Sequence, residues 1–68
     1  MKVQESPYGL SESYAVKFWY ENEEGYSRQE EEILYSNSKG AHKAVETYFK
    51  KYVAKNYKRV RIISVIYQ

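Results

Sequence analysis

His42 is the one histidine in the chain, and neither cysteine nor aspartate accompanies it. Nucleophilic catalysis needs a nucleophile, a base and an orienting group within hydrogen-bond reach, and this set of residue types assembles no Ser-His-acid or Cys-His arrangement. A lone imidazole is also too few ligands for a metal, so His42 reads as a solvated residue in the first turn of a helix. Ser38-Lys39-Gly40 lacks the glycine pattern of a phosphate-binding loop. Glu30, Glu31 and Glu32 follow one another on a strand, where successive side chains point to opposite faces. At most two of them converge, without the Asp/Asn/Gly spacing of a calcium loop. The expectation is a protein that is not an enzyme, with no catalytic residue, no metal and no cofactor.

Chemistry of another kind is written around Trp19. In the run Ser13–Glu21, alternation places Tyr14, Val16, Phe18 and Tyr20 on one face and Ala15, Lys17, Trp19 and Glu21 on the other. If the first face packs on a helix, Trp19 projects from the middle of its strand onto an uncovered face, beside Lys17. The closing strand adds Arg59 and Arg61, with Ile63, Val65 and Tyr67, to that face if its other side is buried. Trp, Tyr and Arg are the residue types that dominate binding hot spots. The candidate binding residues are therefore Trp19, Lys17, Arg59, Arg61 and Tyr67.

These residues need elements to hold them. Residues 13–21 are aromatic and β-branched and predict a strand. Asn22-Glu23-Glu24-Gly25 predicts a turn with Gly25 at positive φ, and 26–35 a second strand whose charged middle suits a sheet edge. Ser36-Asn37-Ser38 offers N-cap oxygens for a helix over 38–55. Its apolar stripe is Ala41, Ala44, Val45, Tyr48 and Tyr52, with Phe49 and Val53 flanking, and Asn56 ends it in the left-handed conformation. Residues 58–67 predict the last strand. Either Val60, Ile62, Ser64 and Ile66 or Arg61, Ile63, Val65 and Tyr67 face inward, and the first set keeps the arginines outside.

The order β-β-α-β then gives an α+β fold: a three-stranded antiparallel sheet of order 2-1-3, one helix on one face, the other face open. Residues 13–68 form this single domain, and residues 1–12 a loose arm, broken by Pro7 and Gly9 and packed down by Tyr8 and Leu10. With 68 residues and no cysteine, stability rests on packing, chiefly of the nine Tyr, two Phe and one Trp. Met1–Glu5 has no apolar signal-peptide core and no run is long enough to span a membrane, so the expected location is the cytoplasm.

Charge is divided along the chain. Residues 1–34 hold eight acids against three bases, and residues 35–68 one acid against eight bases. The two halves attract each other, and the basic half is also a surface for charged partners. Lys50-Lys51-Tyr52 and Lys55-Asn56-Tyr57-Lys58-Arg59 interleave cations with rings, as nucleic-acid binding requires. The helix needs the same tyrosines, however, and the acidic hairpin repels phosphate. A protein partner is the leading expectation, nucleic acid the alternative, and a homodimer through the open face or an edge strand a third.

Phe18-Trp19, the acidic strand Glu30-Glu31-Glu32-Ile33-Leu34-Tyr35, the helix 38–55 and Arg59-Val60-Arg61 together resemble small bacteriophage proteins that inhibit host enzymes, notably the T7-type inhibitor of bacterial RNA polymerase. The similarity is one of pattern over residues 14–62. It implies a phage-like inhibitor or accessory protein that acts on a host macromolecule.

Overall fold

The computed structural model describes residues 3–4 and 9–68. Strand β2 (Glu12–Glu21) turns at Asn22 into β3 (Ser27–Ser36). Asn22 makes the turn: its Oδ1 accepts from the backbone N–H groups of Glu24 and Tyr26, each at 2.9 Å. Gly25 takes the expected positive φ, 86°, the conformation that costs glycine least. Strand β4 (Lys58–Tyr67) lies antiparallel on the other side of β2, so the three long strands have the expected order with the aromatic strand central. A two-residue strand, β1 (Val3–Gln4), pairs with Ser36 and Tyr35 on the outer edge of β3, giving the sheet order β1-β3-β2-β4. The arm thus supplies a strand. Leu10 is buried as expected, whereas Tyr8 lies outside the described residues.

The helix starts later than expected and changes pitch. Helix α1 runs His42–Tyr48, widens to a π turn over Phe49–Val53 and tightens to a 3-10 turn over Ala54–Asn56. Ser36-Asn37-Ser38 does not cap it: Ser36 is buried at the end of β3, and the N-cap position is Ala41, with no local side-chain cap. Tyr14 does that work from the sheet. Its hydroxyl accepts the Ala41 N–H at 3.0 Å and donates to the Ser38 carbonyl, satisfying one of the amides every helix start leaves free. At the other end Tyr57 is extended. The left-handed residue of this region is Arg59, φ 54°, rather than Asn56.

The buried stripe is Ala41, Val45, Phe49 and Val53, all between 0 and 4% exposed, while Tyr52 is exposed. Steps of four overshoot an α-helical turn by about 40° each. The wider π turn absorbs that drift and keeps Phe49 and Val53 in line, which moves Tyr52 off the sheet. Opposite this stripe lie Tyr14, Val16, Phe18 and Leu34. Phe18 is the hub, with ring centroids 4.8 Å from Phe49 and 4.9 Å from Tyr57.

Strand β4 fits neither of its two expected facings, because it carries two extra residues. Lys17 pairs with Ser64 but Phe18 with Ile62, so Ile63 is bulged out; a second extra residue sits at Arg59–Val60, between the Trp19–Arg61 and Glu21–Lys58 pairs. Each bulge reverses the alternation. Val60 and Ile62 face the helix before the Ile63 bulge, and Val65 faces it afterwards.

Candidate partner-binding face

Among the described residues, one side of the sheet is covered by the helix and the other is not. Strand β2 presents Ala15, Lys17, Trp19 and Glu21 to the uncovered side, because their neighbours Tyr14, Val16 and Phe18 are at 0% exposure under the helix. Trp19 is 42% exposed. It stands in register between Gln29 on β3 and Arg61 on β4. Around it Trp19, Glu21, Ser27, Arg59 and Arg61 line a shallow depression of about 520 Å³.

The bulge at Arg59–Val60 shapes this depression. Glu21 Oε2 lies 3.3 Å from Arg59 Nε and 3.6 Å from Lys58 Nζ, so one carboxylate holds two cations at the rim. The Arg59 and Lys58 side chains stay largely in solvent, 78% and 71% exposed. Such pairs add little stability, and here their effect is to orient the guanidinium. The result is a depression lined by one indole and two guanidinium groups.

Of the five expected binding residues, Trp19, Arg59 and Arg61 come together. Lys17 shares their face one step along β2, between Glu31 and Ser64. Tyr67 does not join them. The bulge at Ile63 sends it to the helix side at the far end of the sheet, its ring 5.4 Å from Tyr14. There its hydroxyl donates to Glu12 Oε1, which holds the phenol above its ordinary pKa and the Glu12 carboxyl below its own. Sequence reading missed Glu21 and Ser27. Alternation had already put Glu21 on the Trp19 face, and the Glu21–Ser27 pairing across the hairpin brings Ser27 with it.

The helix carries a second polar surface. Lys43, Lys50, Lys51 and Lys55 are exposed, with Lys50 tied to Glu46 at 3.1 Å. The Tyr48 and Tyr52 rings pair at 4.8 Å, and Lys51 Nζ sits 5.4 Å from the Tyr52 centroid. His42 is exposed and meets Tyr14 edge-on at 5.2 Å. Among the described residues no three His, Cys, Asp or Glu side chains cluster to hold a metal, and no helix is long and apolar enough to cross a membrane.

Comparison with protein-family models, with curated proteins and with solved structures finds no match.

Proposed function

We propose that this chain is a small non-enzymatic binding module that holds another protein against the open face of its sheet, as a phage-like inhibitor or accessory protein acting on a host macromolecule does. The observation behind this reading is Trp19, more than two-fifths exposed near the hairpin end of the central strand with Arg61 and Arg59 at its side. An indole gains from desolvation on its faces and from a hydrogen bond at its edge, and Trp–Arg surroundings are typical of hot spots.

The test compares the tagged chain with Trp19→Ala in nuclease-treated extract of the native host, at low and high salt. Circular dichroism checks that both are folded. The variant is expected to keep the fold and to lose about 2 kcal/mol of affinity, roughly 30-fold. Equal capture by both proteins refutes the assignment. The free protein is expected to show red-shifted, readily quenched tryptophan emission, and a blue-shifted, protected band counts against it.

A second reading, nucleic acid on the basic helix and last strand, is favoured by Lys51 lying over the Tyr52 ring beside Tyr48. Loss of the captured material on nuclease treatment selects it.

A further inference from the structure

Strand β4 holds three of the six large apolar side chains left exposed among the described residues: Ile63 at 43%, Ile66 at 55% and Tyr67 at 37%. They do not share a face. Ile66, in register with Ala15, lies on the open side; Tyr67, in register with Tyr14, lies on the helix side; Ile63 is in the bulge. A missing layer over a sheet exposes one alternating set of residues. Exposure of both sets on a single strand is what a missing neighbouring strand produces.

Strand β4 has such an edge, since among the described residues it pairs with β2 alone. The opposite border of the sheet is guarded, by the charged run Glu30–Glu32 in β3 and by β1 over Tyr35 and Ser36. From Ile62 to Tyr67, β4 has no charge, no proline and no glycine, a composition that edge strands ordinarily avoid.

We propose that a second copy of the chain adds its own β4 antiparallel to this edge, about a twofold axis at Ile66, to form a homodimer with one continuous sheet. The backbone sets the register. Gln68 N–H donates to the Ser13 carbonyl at 3.0 Å, so Gln68, Ile66 and Ser64 direct their amides and carbonyls toward β2. Val65 and Tyr67 direct theirs outward. A twofold axis at Ile66 pairs Val65 of each copy with Tyr67 of the other through two hydrogen bonds. It also sets Ile66 against its mate as a non-hydrogen-bonded pair, with Cα atoms about 4.5 Å apart.

Charge selects this arrangement. With antiparallel strands the two Arg61 residues lie about 26 Å apart along the sheet, beyond the screening length of ~8 Å at physiological salt. Parallel strands would place them side by side. The Ile63 bulge interrupts the edge just before the paired segment, which keeps the contact short and the dimer dependent on concentration. An isologous contact closes at two copies. The axis stands perpendicular to the sheet, so both Trp19 depressions look out from one face. Self-association does not depend on those depressions being used, and the two readings fail separately.

The chain's lack of cysteine makes a direct test available. Ile66→Cys with glutathione disulfide is expected to give a covalent dimer on a non-reducing gel, because a 4.5 Å separation suits a disulfide. Tyr26→Cys, at an exposed turn position away from β4, is the control and is expected to cross-link at least tenfold more slowly. Sedimentation equilibrium of the unmodified chain is expected to move from 8.2 kDa toward twice that mass between micromolar and millimolar concentration. Ile66→Lys, at a solvent-exposed site, is expected to need at least tenfold more protein for the same shift. Three results would overturn the proposal: a monomer throughout, equal cross-linking by both cysteine variants, or open-ended growth, which would mean β4 docking on the acidic edge of another copy.

Discussion

Phe49→Ala is the perturbation that tests how the helix is held. Phe49 has no exposed surface, its ring lies 4.8 Å from Phe18, and Val45 and Val53 flank it on the same stripe. Truncating a buried Phe to Ala costs about 3–5 kcal/mol, a figure that includes roughly 0.5–1.5 kcal/mol for the lost ring pair. A domain of this length has about 3–10 kcal/mol to lose, so a loss of about 4 kcal/mol removes near half or all of its stability. In a chain this small each kcal/mol moves Tm by about 4–8 °C, which puts the expected drop at roughly 15–30 °C. The assay is a far-ultraviolet circular dichroism melt, with Phe49→Leu alongside. Leucine retains most of the apolar volume and is expected to cost about 1–2 kcal/mol. An alanine variant melting within a few degrees of the parent would mean that Phe49 is not what seats the helix on Phe18, and the stripe drawn through 41, 45, 49 and 53 would be wrong.

Glu31→Gln is expected to change stability by less than about 0.5 kcal/mol in urea denaturation, because Glu31 is exposed in the charged middle of β3; a loss of several kcal/mol would reveal a partner for it. Tyr57 donates its hydroxyl to Glu32 Oε2 at 2.7 Å, which with partial burial pushes its pKa up to about 12. The folded state therefore favours the neutral phenol: the stability this bond contributes is whole below pH 10 and is lost as pH rises from there through 12. Ultraviolet titration should show late ionisation of Tyr57 beside that of Tyr67, and Glu32→Gln should move only the Tyr57 step earlier; a titration identical in both proteins would mean that the Tyr57–Glu32 bond does not form. At physiological salt no substantial affinity for DNA or RNA is expected, since the acidic hairpin offsets the basic half; tight binding with a steep salt dependence in a filter or anisotropy assay would contradict that.

Strand order, hairpin, helix and the outward Trp19 were legible in the sequence because each rests on a local signal: a period of two for the strand around Trp19, the Gly25 turn for the hairpin, and a helical period from Ala41 to Tyr52, although that period put Tyr52 on the stripe and Phe49 and Val53 at its flank. Three features were not legible, and all depend on partners distant in the chain. Tyr14 caps a helix 27 residues away, so the nearby serines that looked like caps are left without that role. The π turn is decided by what the stripe must touch on β2. The facing of β4 depends on its bulges, which exist only relative to the register of β2; in isolation the strand offers two equally regular faces and uses part of each. Tyr67 was misplaced for that reason, whereas Arg61, which precedes the Ile63 bulge and faces Trp19 directly, was placed correctly.

The bulge at Ile63 also means that β4 is one residue longer at this point than its pairing requires. If Ile63 were deleted, Ile62 would still meet Phe18 and Ser64 would still meet Lys17, and alternation would run unbroken from Val60 to Tyr67. A shortening that would scramble β2 is thus one that β4 has room for. The shortened strand would twist less and would offer a longer, straighter outer edge. The surplus residue therefore acts as a limiter on length: it confines the regular part of an uncharged edge to a few residues, and the shortened chain should come out of solution at lower concentration than the parent.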